Sequence, residues 1–471
     1  MADNHKAAAP REQFASRLGF ILVSAGCAVG LGNVWRFPYI TGEYGGAAFV
    51  LMYIAFLAIF TLPILVMEFS VGRGAQKGMA RCFDTLEPPG SKWHLYKYLG
   101  ITGNYLLMMF YTVVAGWMLA FTVKMATGQL VGVSVDQAAA VFTDMLANPL
   151  EMLVYMVIVI AIGLIVCLRG LQGGVEKVTK VMMALLFVIL AILCVRAVTL
   201  PGAGEGLAFY LIPDFDKIFG NGLMGTLDAV YAAMGQAFFT LSVGIGAMTI
   251  FGSYLERSRS ITGEAVRIAG IDTLVAVMAG LIIFPACFAF GVEPGAGPSL
   301  VFITLPNVFA MMPLGQLWGT LFFLFMSFAA LSTIIAVFEN IMSFSIDLWG
   351  TSRKKACAVN GALIFVLSLP CLLGFNVLSG VVVPGIGDIQ SLEDFIISNN
   401  ILPIGGLIFL LFCTRKKGWG FDKFLAETDT GEGLRFPKWS RAYLTYVLPI
   451  LIVIVLIGGW LPVIQVWLGV A

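Results

Sequence analysis

"GCAVGLGNVWRFP", residues 26–38, lies inside a stretch that otherwise reads as a membrane helix. From Leu18 onward the chain is apolar and uncharged, yet this segment holds Gly26, Gly30, Gly32, Asn33, Arg36 and Pro38. Glycine and proline are the poorest helix formers. In a bilayer, unwound backbone finds no water to bond, so a break is tolerated only where it is buried in protein or lines a cavity. The segment therefore predicts a spanning helix interrupted at its midpoint, for a purpose.

The rest of the chain supplies the membrane context. Of 471 residues, 59% are hydrophobic and 12% charged, and mean hydropathy is +0.94. Apolar runs near the ~20 residues of a bilayer crossing recur throughout, which makes this a polytopic α-helical membrane protein. Eleven spans are read at 17–40, 46–72, 95–126, 149–168, 175–199, 225–256, 263–292, 315–349, 356–374, 389–413 and 440–468. With a cytoplasmic N-terminus, 24 of the 28 basic residues fall on the inner side, and only Arg36, Lys124, Arg196 and Lys217 lie outside. The positive-inside rule then orients the chain in a plasma membrane, in a bacterium the inner one, with the C-terminus exterior. A net charge of +1 suggests no nucleic-acid partner. The eight cysteines are scattered without a C-x-x-C pattern and read as small core residues. The two histidines, His5 and His94, fall in loops, which argues against zinc or triad chemistry and against an enzyme.

Span 6 repeats the anomaly of span 1. Its "GQAFFTLSVGIGAM", residues 235–248, carries Gly235, Gly244 and Gly246. Spans 1 and 6 each open a five-helix set, 17–199 and 225–414, joined by an exterior loop at 200–224. A cytoplasmic segment, 1–16, precedes them. A cytoplasmic loop, 415–439, and a last span with the exterior C-terminus, 440–471, follow. Broken helices at matching places in two halves predict a transporter built of inverted repeats with a midplane site. The freed carbonyls suit cations, and half-helix N-termini suit an anionic group.

"RLGFILVSAGCAVGLGNVWRFPYITGEYGGAAF", residues 17–49, resembles the first span and following loop of the neurotransmitter:sodium symporter family, in its eleven-span bacterial amino-acid transporter branch. "GQAFFTLSVGIGAM", "FITLP", "SFAALSTIIAVFE" and "LEDFIISNNILPIGG" follow in the family's order, so the resemblance covers nearly the whole chain. It implies an all-α, five-plus-five inverted-repeat (LeuT-type) transporter fold with one additional helix. It also implies two transported sodium ions and no organic cofactor. The first sodium site would use Ala28, Asn33, Thr240 and Asp272 together with the substrate carboxylate. The second would use the carbonyls of Gly26, Val29 and Ala329 and the hydroxyls of Ser332 and Thr333; an oxygen cage suits a hard cation. Asp272, in "RIAGIDTLVAVMAG", is an intramembrane carboxylate and a functional candidate by default. Many relatives have asparagine there and need chloride, so its fixed negative charge implies chloride independence.

Monoamine carriers in the family place an aspartate where this chain has Gly30. The substrate must then bring its own carboxylate, to meet the first sodium and the amides of Leu31 and Gly32, with Tyr111 donating to it. The resemblance lines the substrate site with Ala28, Gly30, Leu31, Gly32, Leu107, Tyr111, Phe239, Thr240, Ser242, Ile245 and Val337. That lining has no charged side chain, so a neutral, hydrophobic L-amino acid follows, of leucine or aromatic size. Arg36 and Asp394 would form an outer gate above a lid of Tyr111 and Phe239. Arg11 and Asp347, with Tyr254, would form an inner gate. Glu68 would brace the unwound part of span 6, and "PSLVFITLPNVFAMMP" would close over the pocket as an exterior lid. One departure stands out: Gly174 is present in span 5, but Ala184 replaces the proline that helps relatives unwind there. A transport-inactive amino-acid sensor of the same fold is the alternative reading, disfavoured by the complete set Asn33, Thr240, Asp272, Ser332 and Thr333. Proton coupling is a further possibility within this fold: some proton-coupled relatives place a lysine in mid-span 5, and here Lys177 and Lys180 lie at its inner end.

Overall fold

The computed structural model describes residues 13–220, 222–292 and 300–469. Helix α1 (Arg17–Ala28) starts at Ser16, whose hydroxyl accepts the Gly19 N–H at 3.0 Å; such a cap satisfies one of the free amides of the first turn. It stops where Val29 turns extended, with ψ 104°. Helix α2 (Gly32–Glu43) resumes at 55° to α1 and opens with a π turn over Gly32–Arg36. The expected break is thus present.

Beyond it come α3 (Ala47–Ala75), α4 (Trp93–Ala126), the short α5 (Val135–Ala147), α6 (Pro149–Leu168) and α7 (Leu171–Val198). A short α8 (Ala203–Leu211) leads to α9 (Gly222–Thr240) and α10 (Ala247–Ser253). Then follow α11 (Ile261–Ala289), α12 (Leu300–Met311), α13 (Gly315–Trp349), α14 (Arg353–Gly374), α15 (Ile389–Thr414), α16 (Phe421–Thr428) and α17 (Lys438–Leu468). Among the described residues, nine helices are long and apolar enough to cross a membrane, and the bent pair α1–α2 makes ten. The remaining expected span, 225–256, is the broken pair α9–α10; its interruption at Leu241–Gly246 leaves neither half as a long apolar helix.

Burial ranks the helices. The apolar window of α13 is 83% buried and that of α17 only 33%, so α13 is the central pillar and α17 faces lipid. The pillar packs against α1, α4, α6 and α7. The segment expected as a lid begins outside the described residues, at Pro298. Its described part, α12, buries Phe302 against the Phe142 ring at 4.7 Å and the Phe121 ring at 5.0 Å. All eight cysteines are buried and free, so no disulfide forms among the described residues.

The break between α9 and α10 needs left-handed backbone: Ser242, Gly244 and Gly246 have φ of 50°, 101° and 70°. Two glycines meet that demand without a Cβ penalty, and Ser242 carries the strain. The exposed peptide groups are then caught one by one. Glu68 on α3 accepts the Gly244 N–H at 2.5 Å, and Tyr96 donates to the Gly244 carbonyl at 2.5 Å. Asn104 donates to the Ile245 carbonyl at 2.9 Å. Across the first break, Gln236 donates to the Gly32 carbonyl at 2.9 Å.

Helix α15 closes the break from the other side. A Cβ on Gly405 would run into the Gly244 carbonyl, and one on Gly244 into the Leu402 carbonyl. The double glycine of "ILPIGG" thereby lets two backbones touch. Gly405→Leu is expected to cost about 1–3 kcal/mol by overpacking, read as earlier thermal unfolding of the detergent-purified protein by tryptophan fluorescence. Gly380→Leu, where a Cβ meets open space, is expected to leave the transition in place.

Candidate functional site

The two breaks face each other, and oxygens gather at two points between them. At the first, Asn33, Thr240 and Asp272 are fully or almost fully buried. The Asn33 amide nitrogen donates to Asp272 Oδ1 at 2.8 Å, to the Asp272 carbonyl at 3.0 Å and to Thr240 Oγ1 at 3.2 Å. The Thr240 hydroxyl donates to Asp272 Oδ2 at 2.8 Å, and the Asn33 carbonyl oxygen accepts the Gly30 N–H at 3.1 Å. Oxygens that converge on an NH₂ donor are also a set that can converge on a small cation. Ala28 lies on the wall of the central cavity.

At the second point, Thr333 Oγ1 lies 3.2 Å from the Val29 carbonyl, 3.3 Å from that of Gly26 and 3.4 Å from that of Ala329. Ser332 donates to the Ala329 carbonyl at 2.9 Å. The hydroxyls on α13 thus face the frayed end of α1, and the cross-helix contacts of Thr333 are shorter than its bond one turn back. All five residues named for the second cation site come together here. Gly26 allows this approach: a Cβ there would press on Thr179 at 3.0 Å and on Ser332 at 3.2 Å.

A central cavity lies between the two points, with about 20 Å³ open to the centre of a water molecule, room for roughly one. Ala28, Gly30, Gly32, Leu107, Tyr111, Phe239, Ser242 and Ile245 line it as expected, and no charged side chain does. Val337, fully buried on α13, is not among its lining residues, whereas Thr333, Ile397 and Leu402 are. Leu31 lines the outer vestibule, and Thr240 lines neither space. Ile397 lies in the π turn of α15 and Leu402 directly after it, where sequence spacing gave no reason to aim them inward.

Gly30 explains itself. A Cβ there would collide with the hydroxyls of Tyr111 and Thr333. The Tyr111 hydroxyl accepts the Leu31 N–H at 3.0 Å, which ties it to the broken backbone and leaves its own proton to donate. A Cβ on Gly32 would meet the Phe239 ring at 2.8 Å.

Tyr111 and Phe239 line both the central cavity and a vestibule of about 580 Å³ above it, as a lid between the two must. The Arg36 guanidinium sits 4.7 Å from the centre of the Phe239 ring. Arg36 and Asp394, expected as an outer charge pair, are linked here through Ser398: Arg36 donates to Ser398 Oγ at 3.4 Å, and Ser398 donates to Asp394 at 2.7 Å. The serine lies one turn from the aspartate on α15 and takes the place between the charges.

At the opposite, basic end, Arg11 lies outside the described residues. Asp347 accepts the Gly78 N–H at 3.3 Å, and Tyr254 donates to Glu339 at 3.4 Å. Carboxylates that sequence reasoning did not single out hold this end. Glu176 accepts the Ala15 N–H at 2.7 Å and the Ser16 hydroxyl at 2.9 Å. Glu264 pairs with Arg17 at 2.8 Å, and Arg353 pairs with the buried Glu339 at 2.7 Å. Ala184 sits in unbroken helix, but α7 begins with a π turn over Leu171–Glu176 behind Gly170, which has φ 81°. Irregular winding is therefore present at the inner end of α7 without the proline.

Comparison with known proteins fits this geometry. The model of the "Sodium:neurotransmitter symporter family" matches residues 11–140 and 136–465. An uncharacterised sodium-dependent transporter of Bacillus subtilis, YhdH, is 37% identical over 95% of this chain and 97% of its own length. The sodium- and chloride-dependent taurine transporter of the dog, Canis lupus familiaris, is 26% identical over 78% of this chain and 66% of its own. The crystal structure of MhsT in complex with L-phenylalanine superposes with a TM-score of 0.85 at 39% identity, covering 95% of this chain and all of that one. The fold is the LeuT-type five-plus-five inverted repeat with an additional helix, and the relatives are transporters rather than enzymes. With family, fold and broken-helix site in agreement, this multi-pass membrane protein belongs to the sodium:neurotransmitter symporter family and is a sodium-dependent transporter.

Proposed function

We propose that this transporter imports a neutral, hydrophobic L-amino acid together with two sodium ions, by alternating access and without chloride. The observation that carries the reading is the surroundings of Gly30. Two hydroxyls fill the space where a side chain would stand, and no charged group lines the cavity. A bound amine would find no carboxylate there, so the substrate brings one, held by the first sodium and the amides at the start of α2. L-phenylalanine bound to MhsT supports an amino acid with a large apolar side chain. The cavity must widen to take it, and Phe239 and Tyr111, as lid residues, are the groups positioned to move. Reconstituted protein under an inward sodium gradient is expected to accumulate aromatic or leucine-sized amino acids; the absence of sodium-dependent uptake across the L-amino acids would overturn the reading. Gly30→Asp is expected to abolish that uptake, at least 100-fold, by collision with Tyr111 and Thr333, which is about 3 kcal/mol or more.

The first sodium would sit among Ala28, Asn33, Thr240 and Asp272, and the second among Gly26, Val29, Ala329, Ser332 and Thr333. Asn33 would turn its amide to present oxygen to the first ion. That turn withdraws the acceptor from the Gly30 N–H, leaving a donor for the substrate. Loss of the Thr333 hydroxyl in Thr333→Val is expected to raise the sodium concentration for half-maximal uptake by about tenfold, roughly 1.4 kcal/mol. Asp272 carries a fixed charge where chloride would otherwise compensate sodium. Uptake by the unaltered protein is expected to persist when gluconate replaces chloride. Asp272→Asn is expected to make uptake chloride-dependent, and a strong loss in the unaltered protein would refute the assignment.

The basic end, rich in Arg73, Arg257, Arg353 and Lys417, is taken as cytoplasmic by the positive-inside rule. Arg36, Ser398 and Asp394 then gate the outer vestibule. Glu176 and Glu264 hold the residues before α1 closed on the inner side, together with Asp347 and Tyr254.

A further inference from the structure

A second cavity, of about 800 Å³, opens at the basic end of the bundle between the start of α4, the end of α15 and the start of α17. Arg415, Lys416, Lys417 and Arg441 line it, and no carboxylate does. Nearby cations differ: Arg73 and Arg257 share Glu427 at 2.8 and 3.3 Å. Arg415, Lys416 and Lys417 have no ion pair among the described residues, and Arg415 instead lies 5.8 Å from the Tyr446 ring. Arg441 pairs at 3.1 Å with Asp422, whose side chain is 82% exposed, and such a surface pair binds weakly. The cradle is fixed in place: Trp93 on its wall donates its indole N–H to the Lys417 carbonyl at 2.8 Å and packs on Phe412 at 5.5 Å.

The position sets the ligand. The three consecutive cations directly follow the last turn of α15, a spanning helix, and so lie at the headgroup level of the bilayer. From the cavity an apolar track runs along the outer face of α17 through Tyr446, Ile450, Ile454 and Ile457, each more than half exposed. Those residues cover roughly 16 Å at 1.5 Å per residue, about the reach of an acyl chain. We propose that this cavity binds the phosphate headgroup of an anionic phospholipid, whose acyl chain lies along α17. Positive charge supplied only for topology would need neither a shared cavity nor an adjoining apolar track. Basic pockets between helices at a membrane face are known to take such headgroups.

The test uses the full chain, purified with residual lipid and examined by native mass spectrometry with added phosphatidylglycerol or phosphatidylcholine of identical chains. Phosphatidylglycerol is expected to be retained in preference, and the triple variant Arg415→Gln/Lys416→Gln/Lys417→Gln to lose that preference by about tenfold or more. Lys354→Gln/Lys355→Gln, on another basic turn, is expected to keep it. A triple variant that binds phosphatidylglycerol as before overturns the proposal. So does protection by inorganic phosphate equal to that by the lipid, in thermal unfolding of protein held in phosphatidylcholine nanodiscs, since the site would then serve a soluble anion. If the triple variant does not fold, a photoactivatable phosphatidylglycerol on the unaltered protein decides: labelling of α17 near Tyr446 supports the site, and labelling confined elsewhere refutes it.

Discussion

The structure depends on one constraint: backbone that leaves a helix inside the bundle must be hydrogen-bonded by protein, because lipid offers nothing. Gly244 shows what that requires. Its N–H goes to a glutamate on one helix, its carbonyl to a tyrosine on another, and its Cα is covered by the backbone of a third. Each partner is buried and itself constrained, so the break is held as firmly as regular helix would be. The first break is held by Gln236, Asn33 and Tyr111. Of these, Tyr111 also lines the cavity and Asn33 belongs to the first oxygen cluster.

That difference orders the molecule. Around α13, the pillar, sit hydroxyls aimed at the end of α1, while α15 touches the second break with Gly405 and reaches the vestibule with Ser398 and Asp394. The π turn at Ile397–Ile401 includes Ser398 and lies between Asp394 and Gly405; irregular turns of this kind often mark functional sites.

Much of this was legible in the sequence because the informative residues violate what a membrane helix needs. Glycines at 26, 30, 32, 244 and 246, a buried carboxylate at 272 and paired hydroxyls at 332 and 333 stand out against an apolar background. The structure brings together Asn33, Thr240 and Asp272 at one point and Gly26, Val29, Ala329, Ser332 and Thr333 at the other. What stayed hidden followed from features without a local signal. Val337, placed in the pocket by family resemblance, is not among the residues that line the cavity. Ile397 and Leu402 line it from in and just after the π turn of α15, which leaves no mark in the apolar pattern. Ser398 links Arg36 to Asp394 through its hydroxyl, and a lone serine gives no sequence signal of such a bridge. Glu176 and Glu264 look like ordinary membrane-edge charges until the chain before α1 folds onto them.

Thr333 belongs to both the cavity and the second oxygen cluster, and it owns a single hydroxyl proton. In the structure that proton can satisfy one of three nearby carbonyls at a time. A cation among those carbonyls would claim the oxygen's lone pairs and turn the hydrogen away from them, toward the space beside Gly30 where Tyr111 also ends. The donor pattern presented to a substrate would then not be a constant of the pocket. It would be written by an ion behind the wall, through the direction of one O–H bond.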